Sequence, residues 1–153
     1  MMPIANLDPK YIEKLTSPEL DLLLENMYID KSTNVPLYVY NIYEKNKYKK
    51  IGRITIRLGF NEEIFYLGNI GYSIAKNFRG NNYAEKSCQM LIDLLKQNNI
   101  KGTILITVNP LNIASKKTCE NLGAVLLDTV HIPTTSIYYA ISDNVKDRYA
   151  IEL

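Results

Sequence analysis

The sequence contains no tryptophan, one histidine and only two cysteines. One histidine together with the distant Cys88 and Cys119 gives no metal-ligand spacing, so we predict no metal site. Both cysteines fall inside helical patterns, which is typical of reduced, buried thiols rather than of a disulfide framework. These scarcities argue against a metal-dependent protein and against a disulfide-stabilised one.

The chain also lacks a long apolar run and a strong excess of either charge. The formal net charge is +2, and the only dense group of lysines, at residues 45–50, falls in a predicted hairpin, where it favours solubility over nucleic-acid binding. The N-terminus has no basic region before an apolar one, so we expect neither a membrane span nor export. With 153 residues, 46% of them hydrophobic, we expect one globular domain over residues 1–153.

The apolar pattern predicts antiparallel strands followed by alternating strands and helices. We expect strands over residues 37–43 and 51–58 joined by a hairpin, and then one long strand over Ile64 to Ile74 with a bulge at Gly68-Asn69. A helix over 85–98, a strand over 103–108, a helix over 113–122 and strands over 124–132 and 148–153 complete the pattern. This order indicates an α/β domain of the α+β kind, with a mixed sheet.

One stretch, Gly71-Tyr-Ser-Ile-Ala-Lys-Asn-Phe-Arg-Gly-Asn-Asn-Tyr-Ala84, runs from a strand through a loop into a helix N-terminus. Gly80, Asn81 and Asn82 tolerate positive φ, so the loop can aim several N–H groups at one point. That point lies at the positive end of the helix dipole, beside Arg79, and is suited to a phosphate or pyrophosphate. An ordinary strand-to-helix turn is the alternative interpretation.

Two common phosphate-binding motifs do not fit this loop. Residues 80–87 match the nucleoside-triphosphate loop except that Glu85 replaces its second glycine, which puts a negative charge where phosphates would be wrapped. The glycines are also spaced differently from those of a dinucleotide fingerprint, and its acidic ribose partner has no clear counterpart.

Together with Asn109-Pro-Leu-Asn-Ile-Ala-Ser115 and Cys119-Glu-Asn-Leu-Gly-Ala124, this stretch resembles the acetyl-CoA-binding half of a GNAT-type N-acetyltransferase. The family pattern Arg/Gln-x-x-Gly-x-Gly/Ala falls on Arg79, Asn82 and Ala84, where Asn82 replaces a glycine but can keep a left-handed φ. The resemblance extends from about residue 37 to residue 127. It implies a mixed, mostly antiparallel sheet with splayed central parallel strands and flanking helices.

Acetyl-CoA is the cofactor that the resemblance implies. The pyrophosphate would accept N–H bonds from the loop, and the pantetheine arm would lie between the end of strand 72–74 and residues 107–109, where it would bond to Asn112. The cofactor-binding residues expected in this way are Tyr72, Ser73, Ile74, Arg79, Gly80, Asn81, Asn82, Tyr83, Ala84, Asn109, Asn112 and Ser115.

The resemblance implies that a substrate amine attacks the thioester directly, with an N–H near Ile74 bonding the carbonyl oxygen as it gains charge. The leaving thiolate must then gain a proton. The tyrosine that often supplies this proton corresponds to Cys119, for which a purely packing role is the alternative interpretation. Ser115 is a second candidate acid, and helix capping would also explain it.

The amine must also lose a proton. The candidate bases are Glu63 with its neighbour Glu62, Tyr66 on the central strand, and His131, whose usual pKa suits the task. Ordinary surface or core placement would explain each of them equally well.

The acceptor side departs from the family. Many members place two helices between their first two strands, and residues 30–36 are too short for them. Residues 17–29 fit either a helix capped at Ser17-Pro18 or a first strand. If they form a strand, the acceptor site is left open. It would then be shaped by residues 133–143 with Tyr138 and Tyr139, or completed by the second subunit of a homodimer. An open cleft would suit a protein amine, and a tyrosine-lined one a small amine.

The sequence therefore predicts a cytoplasmic acyltransferase that moves an acetyl group from acetyl-CoA to a primary amine of a small molecule or peptide, with neither nucleic acid nor membrane as partner. The alternative is an acyl-CoA-binding regulatory module without turnover, because the usual tyrosine is absent.

Overall fold

A computed structural model describes residues 2–140 and 143–153. The elements in chain order are β1 (Lys14–Thr16), β2 (Leu20–Asp30), β3 (Val35–Glu44), β4 (Lys50–Arg57), α1 (Glu62–Leu67), β5 (Ile70–Ile74), α2 (Tyr83–Gln97), β6 (Thr103–Val108), α3 (Ile113–Asn121), β7 (Val125–His131) and β8 (Val145–Glu152). Short 3₁₀ turns lie at Pro9–Tyr11 and Lys76–Phe78. Of the helices within the described residues, none is long and apolar enough to cross a membrane.

Strands β1 to β5 form an antiparallel sheet in sequence order. Residues 20–30 are strand β2 rather than a helix, and they pair along their length with β3. Ser17 closes the β1–β2 turn, because its N–H donates to Leu20 O at 2.9 Å and its Oγ accepts from Leu20 N at 3.0 Å. The turn at residues 31–34 then leads directly into β3, so the stretch between these strands holds no helix.

The long strand predicted over Ile64 to Ile74 is wrong in its first part, where Glu62–Leu67 form helix α1. Asn61 caps this helix with its Oδ1, which accepts from Ile64 N at 3.0 Å, and Gly68 ends it at φ +82°. These two residues are ordinary start and stop signals for a helix. The apolar run between them is too short for periodicity to separate a strand from a helix.

Strands β6, β8 and β7 form a second antiparallel sheet with β8 in the middle. Asn69, which is fully buried, joins the two sheets. Its backbone N–H donates to Leu105 O at 2.7 Å and its Oδ1 accepts from Leu105 N at 2.8 Å, while its Nδ2 donates to Arg57 O and Gly59 O at 2.9 Å. Within the described residues no ladder continues between β5 and β6. The two antiparallel sheets therefore separate between β5 and β6, which is the splay expected from the sequence.

Helix α2 packs its apolar stripe on the first sheet. Cys88, Leu91 and Leu95 are fully buried, and they belong to the same core cluster as Tyr40 and Ile54 of the sheet. Burial of large side chains of this kind contributes roughly 1.5–3 kcal/mol each. The packing therefore holds the N-terminus of α2 in place beside the end of β5.

Candidate functional site

A cleft of about 450 Å³ opens where the end of β5, the loop after it, the first turn of α2 and helix α3 meet. Its lining includes most of the residues predicted to bind the cofactor: Tyr72, Ser73, Ile74, Arg79, Gly80, Asn82, Tyr83, Ala84, Asn112 and Ser115. Two residues from that set are absent from the lining. Asn81 donates from Nδ2 to Phe78 O at 3.1 Å, and Asn109 donates from Nδ2 to Asp143 Oδ1 at 2.8 Å.

The loop takes the left-handed conformations that its sequence predicts. Gly80 has φ +85°, and Asn82, the N-cap of α2, has φ +60° with no side-chain cap bond. The first N–H groups of a helix have no intrahelical partner, and those of α2 follow directly after Asn82. Since Tyr83 and Ala84 line the cleft, these donors and the positive end of the helix dipole lie at its wall.

Arg79 adds positive charge to the same end of the cleft. Its Nε donates to Ile74 O at 2.9 Å, which holds the exposed side chain over the end of β5. A guanidinium has further N–H donors and suits a planar or phosphate acceptor. Loop, helix terminus and arginine together form a cationic region that can bind a pyrophosphate.

The backbone of β5 presents a free edge to the cleft. Arg57 N donates to Asn69 O and Ala75 N to Ile51 O, both at 2.8 Å, so the odd-numbered residues of this stretch face β4. In an antiparallel ladder the intervening residues then face away from the partner strand. Tyr72 and Ile74 therefore turn their N–H groups toward the cleft. An extended chain can pair with such an edge as an added strand.

The hydroxyl of Tyr72 is a buried polar atom inside this site. Among the described residues no group completes a hydrogen bond with it, although Ser115 and Thr118 of α3 lie close enough to influence its ionisation. Burial raises the pKa of the Tyr72 phenol to about 12. The phenol is therefore protonated throughout the neutral range.

Helix α3 supplies the opposite wall. Asn112 caps it as predicted, because its Oδ1 accepts from Ser115 N at 3.1 Å. The sequence analysis missed several lining residues, namely Phe78, Ala114, Lys117, Thr118 and Asn121. Those on α3 follow a spacing of three and four, so the helical period counted from the Asn112 cap would have found them.

Cys119 lies behind this wall rather than on it. Its side chain is fully buried in the core, and burial raises the pKa of the thiol to about 12. Burial likewise raises the pKa of the Cys88 thiol on α2. Both thiols therefore stay protonated at neutral pH, and neither lines the cleft.

A second cavity, of about 250 Å³, lies between α1 and the turn after β7. Its lining comprises Glu62, Glu63, Tyr66, Pro133, Thr135, Ser136 and Ile137. The structure thus brings the predicted bases Glu63 and Tyr66 together with part of the predicted acceptor segment 133–143, of which residues 141 and 142 lie outside the described residues. Tyr138 donates to Ser32 Oγ at 2.6 Å instead of lining the cavity, Tyr139 is 41% exposed, and His131 is exposed on β7.

Two contacts connect α1 to the second sheet. Thr107 Oγ1 donates to Leu67 O at 3.1 Å, which joins the end of the helix to β6. The Arg148 guanidinium lies 3.7 Å from the centre of the Phe65 ring and donates to both carboxylate oxygens of Asp128 at 2.7 and 2.8 Å. These contacts place the second cavity beside β6, the strand that lies opposite β5 where the two sheets separate.

The comparisons with known proteins agree with this geometry. The model of the acetyltransferase (GNAT) domain family matches residues 6–125. No curated protein matches the sequence significantly.

Several solved structures share the fold. RimL, the ribosomal L7/L12 α-N-protein acetyltransferase in complex with coenzyme A, has a TM-score of 0.68 at 15% identity, over 92% of this chain and 98% of that one. The ribosomal-protein-S5-alanine acetyltransferase from Vibrio fischeri has a TM-score of 0.60 at 21% identity, over 76% of this chain and 61% of that one. MccE, the microcin C7 self-immunity acetyltransferase in complex with acetyl-CoA and AMP, has a TM-score of 0.59 at 17% identity, over 76% and 61%. The chain spans about three fifths of the length of the last two proteins.

Proposed function

Because the chain belongs to the GNAT acetyltransferase domain family, we propose that it transfers an acetyl group from acetyl-CoA to a primary amine. The observation that carries this proposal is the combination, in one cleft, of a left-handed loop at a helix N-terminus with a free strand edge. The first feature suits a pyrophosphate and the second an extended amide-bearing arm. Coenzyme A contains both groups.

The cofactor-binding residues follow from this match. The N–H groups after Asn82 and the guanidinium of Arg79 bind the pyrophosphate. The edge at Tyr72 and Ile74 pairs with the amides of the pantetheine arm, and Lys117 on α3 adds a cation near the phosphates. Asn112 offers its Nδ2 to the arm, since its Oδ1 already caps α3.

The reaction needs stabilisation of the carbonyl oxygen and removal of a proton from the amine. Of the N–H groups at Tyr72 and Ile74, which face the cleft, one can donate to that oxygen as it gains charge while the other pairs with the pantetheine arm. On the acceptor side, Glu63 attracts an ammonium group and takes its proton directly or through a water, which the hydroxyl of Tyr66 in the same cavity can hold. The amine therefore approaches from the cavity between α1 and the turn at residues 133–137.

The acceptor is a primary amine of a peptide or a small molecule. Since the turn at residues 31–34 replaces the helices that often form an acceptor wall, the site has room for a chain end. The names of two structural neighbours, both acetyltransferases of ribosomal proteins, favour a protein α-amine as the first acceptor to test.

A second candidate function is an acyl-CoA-binding module without turnover. It is favoured by Cys119, which corresponds to the usual acid but is buried as a thiol with its pKa raised to about 12. Such a group is a poor proton donor at neutral pH and lies outside the cleft lining.

The test is an acceptor panel with acetyl-CoA, containing short peptides with free N-termini, a peptide with an internal lysine and blocked ends, and small diamines. Product is detected by mass spectrometry together with release of the coenzyme A thiol. We expect turnover that falls in Glu63→Gln but not in the matched variant Glu25→Gln, which removes a carboxylate that pairs with Arg53 on the first sheet. Acetyl-CoA binding without any product would favour the module, and the absence of binding would refute both functions.

A further inference from the structure

The second cavity has two walls, helix α1 and the turn at residues 133–137, and both are joined to the turn between β2 and β3. On one side, Asn61, the N-cap of α1, donates from Nδ2 to Thr33 O. On the other side, the hydroxyl of Tyr138 donates to Ser32 Oγ at 2.6 Å. Neighbouring residues of one turn therefore hold both walls of the space proposed for the acceptor.

The turn between β2 and β3 is a firm point of attachment because it is built around the carboxylate of Asp30. Thr33 Oγ1 donates to Asp30 Oδ2 at 2.8 Å, and Arg57 of β4 donates to the same oxygen from Nε at 3.1 Å. Ser32 Oγ lies 3.1 Å from each oxygen of this carboxylate. Only 13% of the Asp30 side chain is exposed and Thr33 is buried, so water competes little for these bonds.

The charge of Asp30 sets the direction of the bonds that reach Tyr138. Burial alone would raise the pKa of the Asp30 carboxyl, but the donors around it hold that pKa below its usual value. The group is therefore a carboxylate at neutral pH and can only accept. Ser32 gives its one hydroxyl hydrogen to Asp30, and its oxygen accepts the hydrogen of Tyr138. Bonds in such a chain polarise and strengthen one another.

The bond from Tyr138 to Ser32 is the hydrogen bond that ties its loop to the first sheet. Among the described residues, every other hydrogen bond of residues 133–140 stays within the loop or reaches Asn144, just before β8. The turn itself is compact, because Ser136 N donates to its own turn at 2.9 Å. Its position relative to α1 therefore depends on the bond from Tyr138.

We infer that Tyr138 is a positioning residue for the acceptor amine, because its bond to Ser32 sets the distance between the two walls of the second cavity. The inference rests on the proposed acetyl transfer and adds how the acceptor side is held in place without a wall of helices. Tyr138 does not line the cavity, so it acts through the turn that precedes it. A fixed width gives an amine beside Glu63 one defined approach to the thioester.

The test is steady-state kinetics of wild type, Tyr138→Phe and Tyr40→Phe. The acceptor is a short peptide with a free N-terminus, or a small diamine if the wild type acetylates only that. Tyr40→Phe is the matched control, since the Tyr40 hydroxyl donates to Ile12 O at 2.7 Å within the core.

For Tyr138→Phe we expect the KM for the acceptor to rise by about fivefold or more, the factor that one hydrogen bond of typical net strength contributes. The kcat and the KM for acetyl-CoA should change by less than about twofold, because the cleft of the cofactor is untouched. Tyr40→Phe should instead lower the thermal midpoint and leave the KM for the acceptor unchanged.

Two further measurements test the mechanism. Ser32→Ala should raise the same KM, and adding Tyr138→Phe to it should raise that KM little further, because the bond is already absent. Amide hydrogen exchange gives a readout that needs no turnover. Exchange of residues 133–140 should be faster in Tyr138→Phe than in the wild type, and Tyr40→Phe should leave it unchanged.

The outcomes separate this inference from the proposed function. An unchanged KM for the acceptor in Tyr138→Phe would overturn the positioning role while leaving acetyl transfer intact. Independent effects of Ser32→Ala and Tyr138→Phe, or unchanged exchange of the loop, would also overturn it. A rise in the KM for acetyl-CoA together with a lower thermal midpoint would show general loosening of the fold in its place. A wild type that acetylates no amine would overturn the proposed function, and the acceptor role with it.

Discussion

Asn69 holds the two sheets together at the base of the cleft, so its replacement by alanine is a demanding test of the structure. The change deletes four hydrogen bonds of the side chain, those with Leu105 N at 2.8 Å, with Arg57 O and Gly59 O at 2.9 Å, and a long one to Met2 Sδ at 3.9 Å. The backbone bond from Asn69 N to Leu105 O remains. The two sheets would keep this backbone contact at the point where they separate, and they would lose the hydrogen bonds that the side chain makes.

The magnitude follows from burial. Asn69 is fully buried, and its bonds to Leu105 N and Gly59 O lie in buried surroundings, so water cannot easily replace the amide. Each buried group left without a partner costs roughly 1–3 kcal/mol. We therefore expect the free energy of unfolding to fall by about 3 kcal/mol or more, a large share of the ~5–15 kcal/mol typical of a domain.

The assay is equilibrium unfolding in urea, with the midpoint and slope measured for both variants. The matched control is Asn98→Ala, which also loses two bonds, from Nδ2 to Leu94 O and from Asp8 N to Oδ1, each of 2.9 Å. Asn98 is partly exposed, so solvent can replace its partners and the loss should stay within about 1 kcal/mol. A loss below about 1 kcal/mol for Asn69→Ala would refute the role assigned to Asn69.

Three further changes have defined outcomes. Because φ is +60° at Asn82, Asn82→Gly should keep both stability and acetyl-CoA affinity, whereas Asn82→Val should lower the free energy of unfolding by about 1 kcal/mol or more and weaken binding. Urea unfolding and calorimetry measure the two effects, and equal behaviour of the two variants would contradict this prediction. Arg148 holds the pKa of the Asp128 carboxyl below its usual value. This pair therefore stabilises the fold above the unfolded pKa of about 3.9, and the stabilisation is lost as the pH falls through the folded pKa. The unfolding midpoint of Asp128→Asn should accordingly depend less on acid pH than that of the wild type, and an equal dependence would contradict the role of this pair. Cys88 and Cys119 are fully buried, so a thiol reagent should label the native protein slowly and the urea-unfolded protein rapidly; rapid labelling of the native state would show that the helices do not pack as described.

Sequence patterns predicted the elements whose signals are local. The stripe of α2 and the Asn112 cap of α3 each depend on residues within a few positions of one another. The left-handed conformation of Asn82 follows from its own chemistry and its place before a helix. Helix α1 was missed because fewer than two turns leave little periodicity, and Asn61 and Gly68 were its only signals.

The rest of the site depends on contacts between distant parts of the chain. Asn69 bonds to Leu105, which is 36 positions away, and nothing in the local sequence specifies that pair. The second cavity lies between α1 and the turn at residues 133–137, two segments that are far apart in the sequence. The burial of the Tyr72 hydroxyl likewise depends on Ser115 and Thr118 of α3, which lie far from it in the sequence, whereas a tyrosine in a strand pattern alone predicts only a core residue.

The central claim is that the cleft between β5, α2 and α3 binds acetyl-CoA. Calorimetric titration with acetyl-CoA tests it directly, using wild-type protein, Ala84→Trp, which fills the cleft wall, and Lys47→Trp, which adds the same ring to an exposed hairpin. ATP with magnesium serves as the ligand control. The account predicts micromolar binding by the wild type and by Lys47→Trp, loss of binding in Ala84→Trp, and no comparable binding of ATP. Equal binding by all three proteins, or none by the wild type, would contradict it.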